Sequence, residues 1–235
     1  MYFLAHTPDN RYLGFVVGSG AEHFVPEKKP MALVYGKLSN YFKDYKRYLE
    51  IIHEYFEVHA TATLQADDHI PKYVINHGVV PGETLKTLML QSKLFVGLGF
   101  PYEGPGPIEA MAAGTVYIQP KYDVPRNREN SDFFALKPTF RKLTSQSPYM
   151  ENFVGKPYCF TIDIRNEELL RKTLQTIKLM KPLPTKIPKE FTNVGMLERV
   201  YSFTESMVRS FIVVVEKIAF DQSFVIQSIP VLNEL

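Results

Sequence analysis

The feature that most constrains this chain is a regular alternation, from Met31 onward, between short apolar runs and amphipathic stretches. The apolar runs are Met31–Tyr35, Val58–Leu64, one reached through Tyr73–Val80, Leu94–Phe100, Thr115–Gln119 and Tyr158–Ile164. Between the first two, Phe42, Tyr45, Leu49, Ile52 and Phe56 recur at three- and four-residue spacing, the period of one buried helical face. Asn40 is read as the cap of that helix. Pro81-Gly82-Glu83 opens a second helix carrying Leu85, Leu88 and Met89. A third covers Ile108–Ala113 and ends at Gly114, which suits the left-handed position after a helix. Glu167–Met180 is a fourth. Unbroken apolar strands alternating with helices predict an α/β fold: a Rossmann-like parallel sheet with helices on both faces. Ligands of such sheets bind beyond the carboxyl ends of the strands.

The rest of the chain divides around this unit. Residues 1–30 read as an approach segment with turns at Thr7-Pro8-Asp9-Asn10 and Gly18-Ser19-Gly20. Residues 31–181 form the sheet domain. Within it, the long polar stretch Lys121–Ser147 reads as a mobile or ligand-covering loop. Pro182, Pro184 and Pro188 mark a linker before a helix at Gly195–Phe203, so 182–206 is a linker and helix and 207–235 a tail.

Composition serves mainly to exclude. Hydrophobic residues at 45% and charged ones at 22% are ordinary for a globular chain. A formal net charge of +2 gives no field for general nucleic-acid binding. One cysteine, Cys159, rules out an internal disulfide framework and a cysteine-rich zinc site. The amino-terminal residues have no basic region or long apolar stretch of a signal peptide. Apolar runs such as Phe211–Val215 fall short of the roughly 20 residues of a membrane helix.

Three strand-end loops carry the chemistry: Gly36-Lys37, His77-Gly78-Val79, and Gly99 through Pro107. A helix start presents unpaired N–H groups and a positive dipole end to an anion. Gly104 and Gly106 would let the backbone approach a phosphate, and Pro105 and Pro107 would stiffen the loop. Glu109 lies where sugar hydroxyls can donate to it. Lys37 is a compact positive charge for a diphosphate. Singly, each has a plainer reading: a turn glycine, a helix-dipole partner, a solvated lysine, a surface histidine, and Tyr102 as loop packing. Together on one sheet they favour a nucleotide. The dinucleotide fingerprint Gly-x-Gly-x-x-Gly is absent after the first strand, which counts against NAD.

The run Leu94 to Ala110, with Gly97-Leu98-Gly99-Phe100-Pro101-Tyr102-Glu103-Gly104-Pro105-Gly106-Pro107-Ile108-Glu109 inside it, resembles the donor-binding stretch of glycosyltransferase family 18. That is the family of the Golgi alpha-1,6-mannosylglycoprotein 6-beta-N-acetylglucosaminyltransferases. The likeness extends to His6–Asn10, Leu13–Val17, Leu33–Lys37, Glu57–Thr61, Ile70–Val74, Asn76–Gly78, Asp132–Phe134, Lys137–Thr139, Leu143–Gln146, Pro148-Tyr149, Glu190–Thr192 and Gly195–Leu197. The resemblance implies the donor-binding half of a GT-B glycosyltransferase, which transfers N-acetylglucosamine from UDP-N-acetylglucosamine in β1,6 linkage to the α1,6-mannose arm of N-glycans. It implies inversion without a metal or other cofactor, aided by a carboxylate base. The donor-binding residues it implies are Gly36, Lys37, His77, Gly78, Val79, Gly99, Tyr102, Glu103, Gly104, Pro105, Gly106, Pro107 and Glu109, with the backbone of His77–Val79 reading the uracil edge. No catalytic residue is singled out: the chain starts where the family's second domain starts, so the base is expected on a missing acceptor domain. The intact family member is expected in the Golgi lumen behind an amino-terminal membrane anchor. The likeness is expected to fade after Glu205, and Asn193 stands where a family cysteine is expected. The alternatives are a non-catalytic sugar-nucleotide-binding fragment and a Rossmann-like module for another ligand.

Overall fold

A computed structural model of the chain describes residues 14–18, 25–63, 69–137 and 139–227. The segment His6–Asn10 with its turn, Leu13, Ser19-Gly20, Leu64, Pro138 and residues 228–235 lie outside the described residues.

In chain order the elements are β1 (Lys29–Tyr35), α1 (Lys46–His53), β2 (Glu57–Ala60), β3 (Ile75–Asn76), α2 (Gly82–Gln91), β4 (Ser92–Gly97), α3 (Gly106–Ala112), β5 (Val116–Arg126), α4 (Asp132–Ala135), β6 (Leu143–Ser145), β7 (Cys159–Ile162), α5 (Glu167–Leu179) and α6 (Asn193–Gln227). Six strands pair in parallel in the order β3-β2-β1-β4-β5-β7. This is the doubly wound arrangement, and its order reverses between β1 and β4. Successive strand residues point to opposite faces. Val34, Val58 and Leu94 therefore pack with Leu49, Ile52, Leu170 and Leu174 from α1 and α5. Leu33, Phe95 and Tyr117 pack on the other face with Met89, Ile108 and Met111 from α2 and α3.

Several elements differ from the sequence reading. The first helix begins as a tight 3-10 segment, Ser39–Tyr45, whose cap position is Leu38, so Asn40 is not the cap. Phe42, Leu49, Ile52 and Phe56 are nonetheless buried on one face. The second strand stops at Ala60; beyond it, the Thr63 amide donates to the Lys37 carbonyl (2.8 Å) and ties the two strand-end loops together. Gly114 has φ +66°, as expected for the residue ending α3.

The largest correction concerns Lys121–Ser147. β5 runs on to Arg126, α4 follows, and β6 returns antiparallel to β5, pairing Lys121 with Ser145 and Arg126 with Leu143. The sheet is therefore mixed. Charged residues at Lys121, Asp123 and Arg126 sit on a solvent-facing edge, which hides the strand from a search for apolar runs. The proline-rich segment is packed: Leu183 and Ile187 lie against the core, and the Tyr158 hydroxyl donates to the Pro184 carbonyl (2.9 Å). α6 is 35 residues long, far beyond the Gly195–Phe203 expected.

Candidate functional site

The β1 and β4 ends, where the sheet order reverses, carry two of the three expected loops. Gly36 is buried after β1, with room for a Cβ limited by Leu98 (3.3 Å) and Phe42 (3.4 Å). Lys37 follows it, exposed, on a backbone pinned by Thr63.

The β4–α3 loop is held by one buried side chain, Gln146, which the sequence reading missed as a site residue. Its Oε1 accepts from the Gly99 amide (2.9 Å) and the Tyr117 hydroxyl (3.2 Å), and its Nε2 donates to the Pro101 carbonyl (3.0 Å). The Glu103 amide donates to the Gln146 carbonyl (2.9 Å). The Tyr122 hydroxyl donates to the Gly99 carbonyl (2.5 Å), and Tyr45 crowds the space a Gly99 side chain would need. Gly99 also has φ +78°, a conformation costly for other residues.

Gly104 and Gly106 also have a packing reason, beside the expected one. A Cβ on Gly104 would lie 2.5 Å from the Tyr35 hydroxyl, and one on Gly106 2.9 Å from the Tyr35 ring. These glycines are required by packing on Tyr35. The Ile108 and Glu109 amides both donate to the Pro105 carbonyl (2.9 and 3.0 Å), and Pro105 and Pro107 have no N–H. Only the Gly104 and Gly106 amides are then suited to turn toward an anion at this helix start.

Glu103 and Glu109 have opposite environments. Glu103 has a positive φ of 58° and forms a bidentate pair with Arg141, its Oε2 accepting from Nη1 at 2.6 Å. The two side chains are only 8% and 10% exposed. Glu103 is thus committed to a protein partner 38 residues away. Glu109 instead faces a groove of about 380 Å³ between α2 and α3, shared with Lys86, Glu83 and Leu85. Burial pushes its carboxyl above the usual range. The same burial, with the Glu109 charge nearby, pushes the Tyr35 hydroxyl up to about 12.

A second cavity, about 620 Å³, opens over Leu98 and Gly99 and includes Tyr102 among its walls. Tyr41, Tyr45, Tyr122 and Arg126 also line it; none was named as a site residue from the sequence. The tyrosines come from a helical stretch read as core and from the edge of β5 read as loop. The third loop stands apart. His77 follows β3 and stacks on His59, with Nδ1 of His59 and Nε2 of His77 2.8 Å apart. Burial lowers the His59 pKa. Gly78 has φ +67°, and Val79 is 82% exposed. β2 and β1 separate this loop from the β4 end, a span on the order of 14 Å at the usual strand spacing. Among the described residues no three His, Cys, Asp or Glu side chains are placed to hold a metal ion.

A family profile described as "Glycosyltransferase family 18" matches residues 1–212. The chain belongs to glycosyltransferase family 18. The match runs slightly past Glu205, where the likeness was expected to end. Alpha-1,6-mannosylglycoprotein 6-beta-N-acetylglucosaminyltransferase A of Homo sapiens is 47% identical over 206 residues, covering 85% of this chain and 28% of that protein. The Caenorhabditis elegans alpha-1,6-mannosylglycoprotein 6-beta-N-acetylglucosaminyltransferase is 42% identical over 204 residues, covering 84% and 30%. The human B enzyme is 37% identical over 214 residues, covering 87% and 27%. This family 18 chain thus spans under a third of the length of these relatives. Among its described residues no helix is long and apolar enough to cross a membrane.

Proposed function

We propose that this chain is the donor-binding part of an inverting, metal-independent glycosyltransferase. The reaction is transfer of N-acetylglucosamine from UDP-N-acetylglucosamine, in β1,6 linkage, to the α1,6-mannose arm of N-glycans in the Golgi lumen. The observation that carries it is the meeting of the Gly36-Lys37 loop and the Gly99–Pro107 loop at the switch point of a doubly wound sheet, in a chain of this family. Lys37, with the Gly104 and Gly106 amides, would hold the diphosphate. Glu109, partly desolvated in its groove, would accept from the ribose hydroxyls. The exposed His77–Val79 turn would meet the uracil edge. Glu103 has a supporting role here, fixing the loop through Arg141.

The test is calorimetry of the purified chain with UDP and UDP-N-acetylglucosamine, with and without a chelator. Binding unchanged by chelator is expected, since the diphosphate would be neutralised by Lys37 and backbone amides. Binding that disappears with chelator refutes the metal-free reading, and no binding at all refutes the donor assignment.

A further inference from the structure

The backbone on both sides of His77 is fixed. The His77 amide donates to the Ala60 carbonyl (2.8 Å), continuing the ladder between β2 and β3. The Asn76 side chain donates from Nδ2 to the Ala62 carbonyl (2.9 Å), and its Oδ1 accepts from the Ala62 and Gly78 amides (3.0 and 3.1 Å). Gly78 supplies the positive φ of 67° that the turn needs. With the main chain held, the exposed His77 ring is what can still reorient. His59, on β2 and only 12% exposed, restrains it: Nδ1 of His59 and Nε2 of His77 are 2.8 Å apart, and the ring planes are 20° apart.

A gap of that length takes one proton, so one ring donates and the other accepts. Glu57 decides which. Its Oε1 lies 3.3 Å from the buried Nε2 of His59, where a ring lone pair would be repelled by the carboxylate. The proton of a neutral His59 therefore sits on Nε2, and its Nδ1 accepts from Nε2–H of His77. Burial lowers the His59 pKa and keeps the ring neutral; His77 and Lys29 on β1 act in the same direction, against the pull of Glu57. A His77 whose proton is on Nε2 presents Nδ1 as a bare acceptor. That fits a base edge with an N–H, as uracil has at N3. It does not fit cytosine, whose N3 is itself an acceptor.

We propose that His59 is a positioning residue for nucleobase selection: it holds the His77 ring in the Nε2–H tautomer, so that Nδ1 of His77 accepts from the N3–H of uracil. The inference rests on the donor reading above and adds to it a selectivity between pyrimidines.

The test compares the unaltered chain with His59→Leu, which removes the acceptor, and His59→Asn, whose Oδ1 can accept in place of the ring nitrogen. Thermal melts confirm folding. Nitrogen NMR of the imidazoles, recorded without nucleotide, reads the tautomer. Calorimetry at pH 8 and pH 5.5 reads UDP against CDP. The unaltered chain is expected to carry the His77 proton on Nε2 and to prefer UDP by about tenfold at pH 8. That preference is expected to fall to about threefold or less in His59→Leu and to return in His59→Asn. It should narrow at pH 5.5 in the unaltered chain, because a protonated Nδ1 no longer accepts. A His77 proton found on Nδ1 at pH 8 overturns the inference. So does a preference that His59→Leu leaves unchanged, or one that both variants lose equally. UDP that binds the unaltered chain no better than CDP overturns the inference and leaves the donor reading standing. Absence of any UDP binding overturns both.

Discussion

Lys37 and Glu109 differ in which part of a nucleotide they can serve. Lys37 offers charge to a diphosphate, so Lys37→Ala should weaken UDP about tenfold while leaving uridine nearly unchanged. On the proposed reading Glu109 serves the ribose, so Glu109→Ala should weaken both by about tenfold, the scale of a charge-assisted hydrogen bond of about 1.5–3 kcal/mol. Calorimetry with both ligands checks the pair, and equal losses for Lys37→Ala would refute its assignment. Because burial raises the Glu109 carboxyl, it protonates in the folded chain before it would in the unfolded one. The folded state therefore gains stability relative to the unfolded as pH falls through that raised value, while ribose affinity declines. Glu109→Gln should flatten both trends. The Glu103–Arg141 pair gives a third residue-scale expectation. Arg141→Ala leaves a buried carboxylate without its main partner and should cost about 3–5 kcal/mol of stability, read from denaturant melts. Glu103 and Glu109 both stood out in the sequence because they sit in a glycine-rich loop and a helix first turn. Their contrasting roles were not legible there, because Arg141 is supplied by a segment that pairs only through tertiary structure.

At the scale of elements, the sequence was most legible where a strand is buried on both faces. β1 and β4 are continuous apolar runs, and a one-dimensional pattern suffices to find them. β5 shows the limit. Its first half is such a run, but its second half is an exposed edge paired to a three-residue strand, so its residues alternate under no strong burial constraint. That is why the Tyr122 and Arg126 walls of the larger cavity were missed. Lys28 was missed for another reason. Its ammonium donates to the Ala113 carbonyl (2.7 Å), the Thr115 hydroxyl (2.8 Å) and the Met89 carbonyl (3.4 Å), joining the ends of α2 and α3 to the start of β1. Carbonyls at helix ends favour a cation, but burial dominates and pulls this ammonium down to about 7. An unfolded chain keeps the proton up to its ordinary value near 10.5. Stability attributable to Lys28 should therefore rise between about pH 7 and 10.5. Lys28→Met should lose about 1–3 kcal/mol near neutral pH from the missing hydrogen bonds. The difference between the two proteins' melting curves should widen over that pH window. A gap constant with pH would place the titration elsewhere.

At the scale of the molecule, the question is whether one sheet with its strand-end loops suffices for transfer. Inverting displacement needs the acceptor hydroxyl in line with the anomeric carbon and a base within hydrogen-bond reach of it. The described residues offer one side of such an arrangement. Of the carboxylates near the β4 end, Glu103 is held by Arg141 and Glu109 faces the groove between α2 and α3. Asp44 and Asp132 line the cavity over Leu98 and Gly99, on this same side. The expected outcome is that these 235 residues bind UDP-N-acetylglucosamine yet give no product with a biantennary N-glycan, followed by mass spectrometry. Clear product would mean that a base lies within this chain. The first substitutions would then be Asp44→Asn and Asp132→Asn, since both carboxylates are open to the cavity, whereas removing Glu103 would damage the loop whether or not it took part in the chemistry. Loss of turnover in one of the two with donor affinity intact would identify the base.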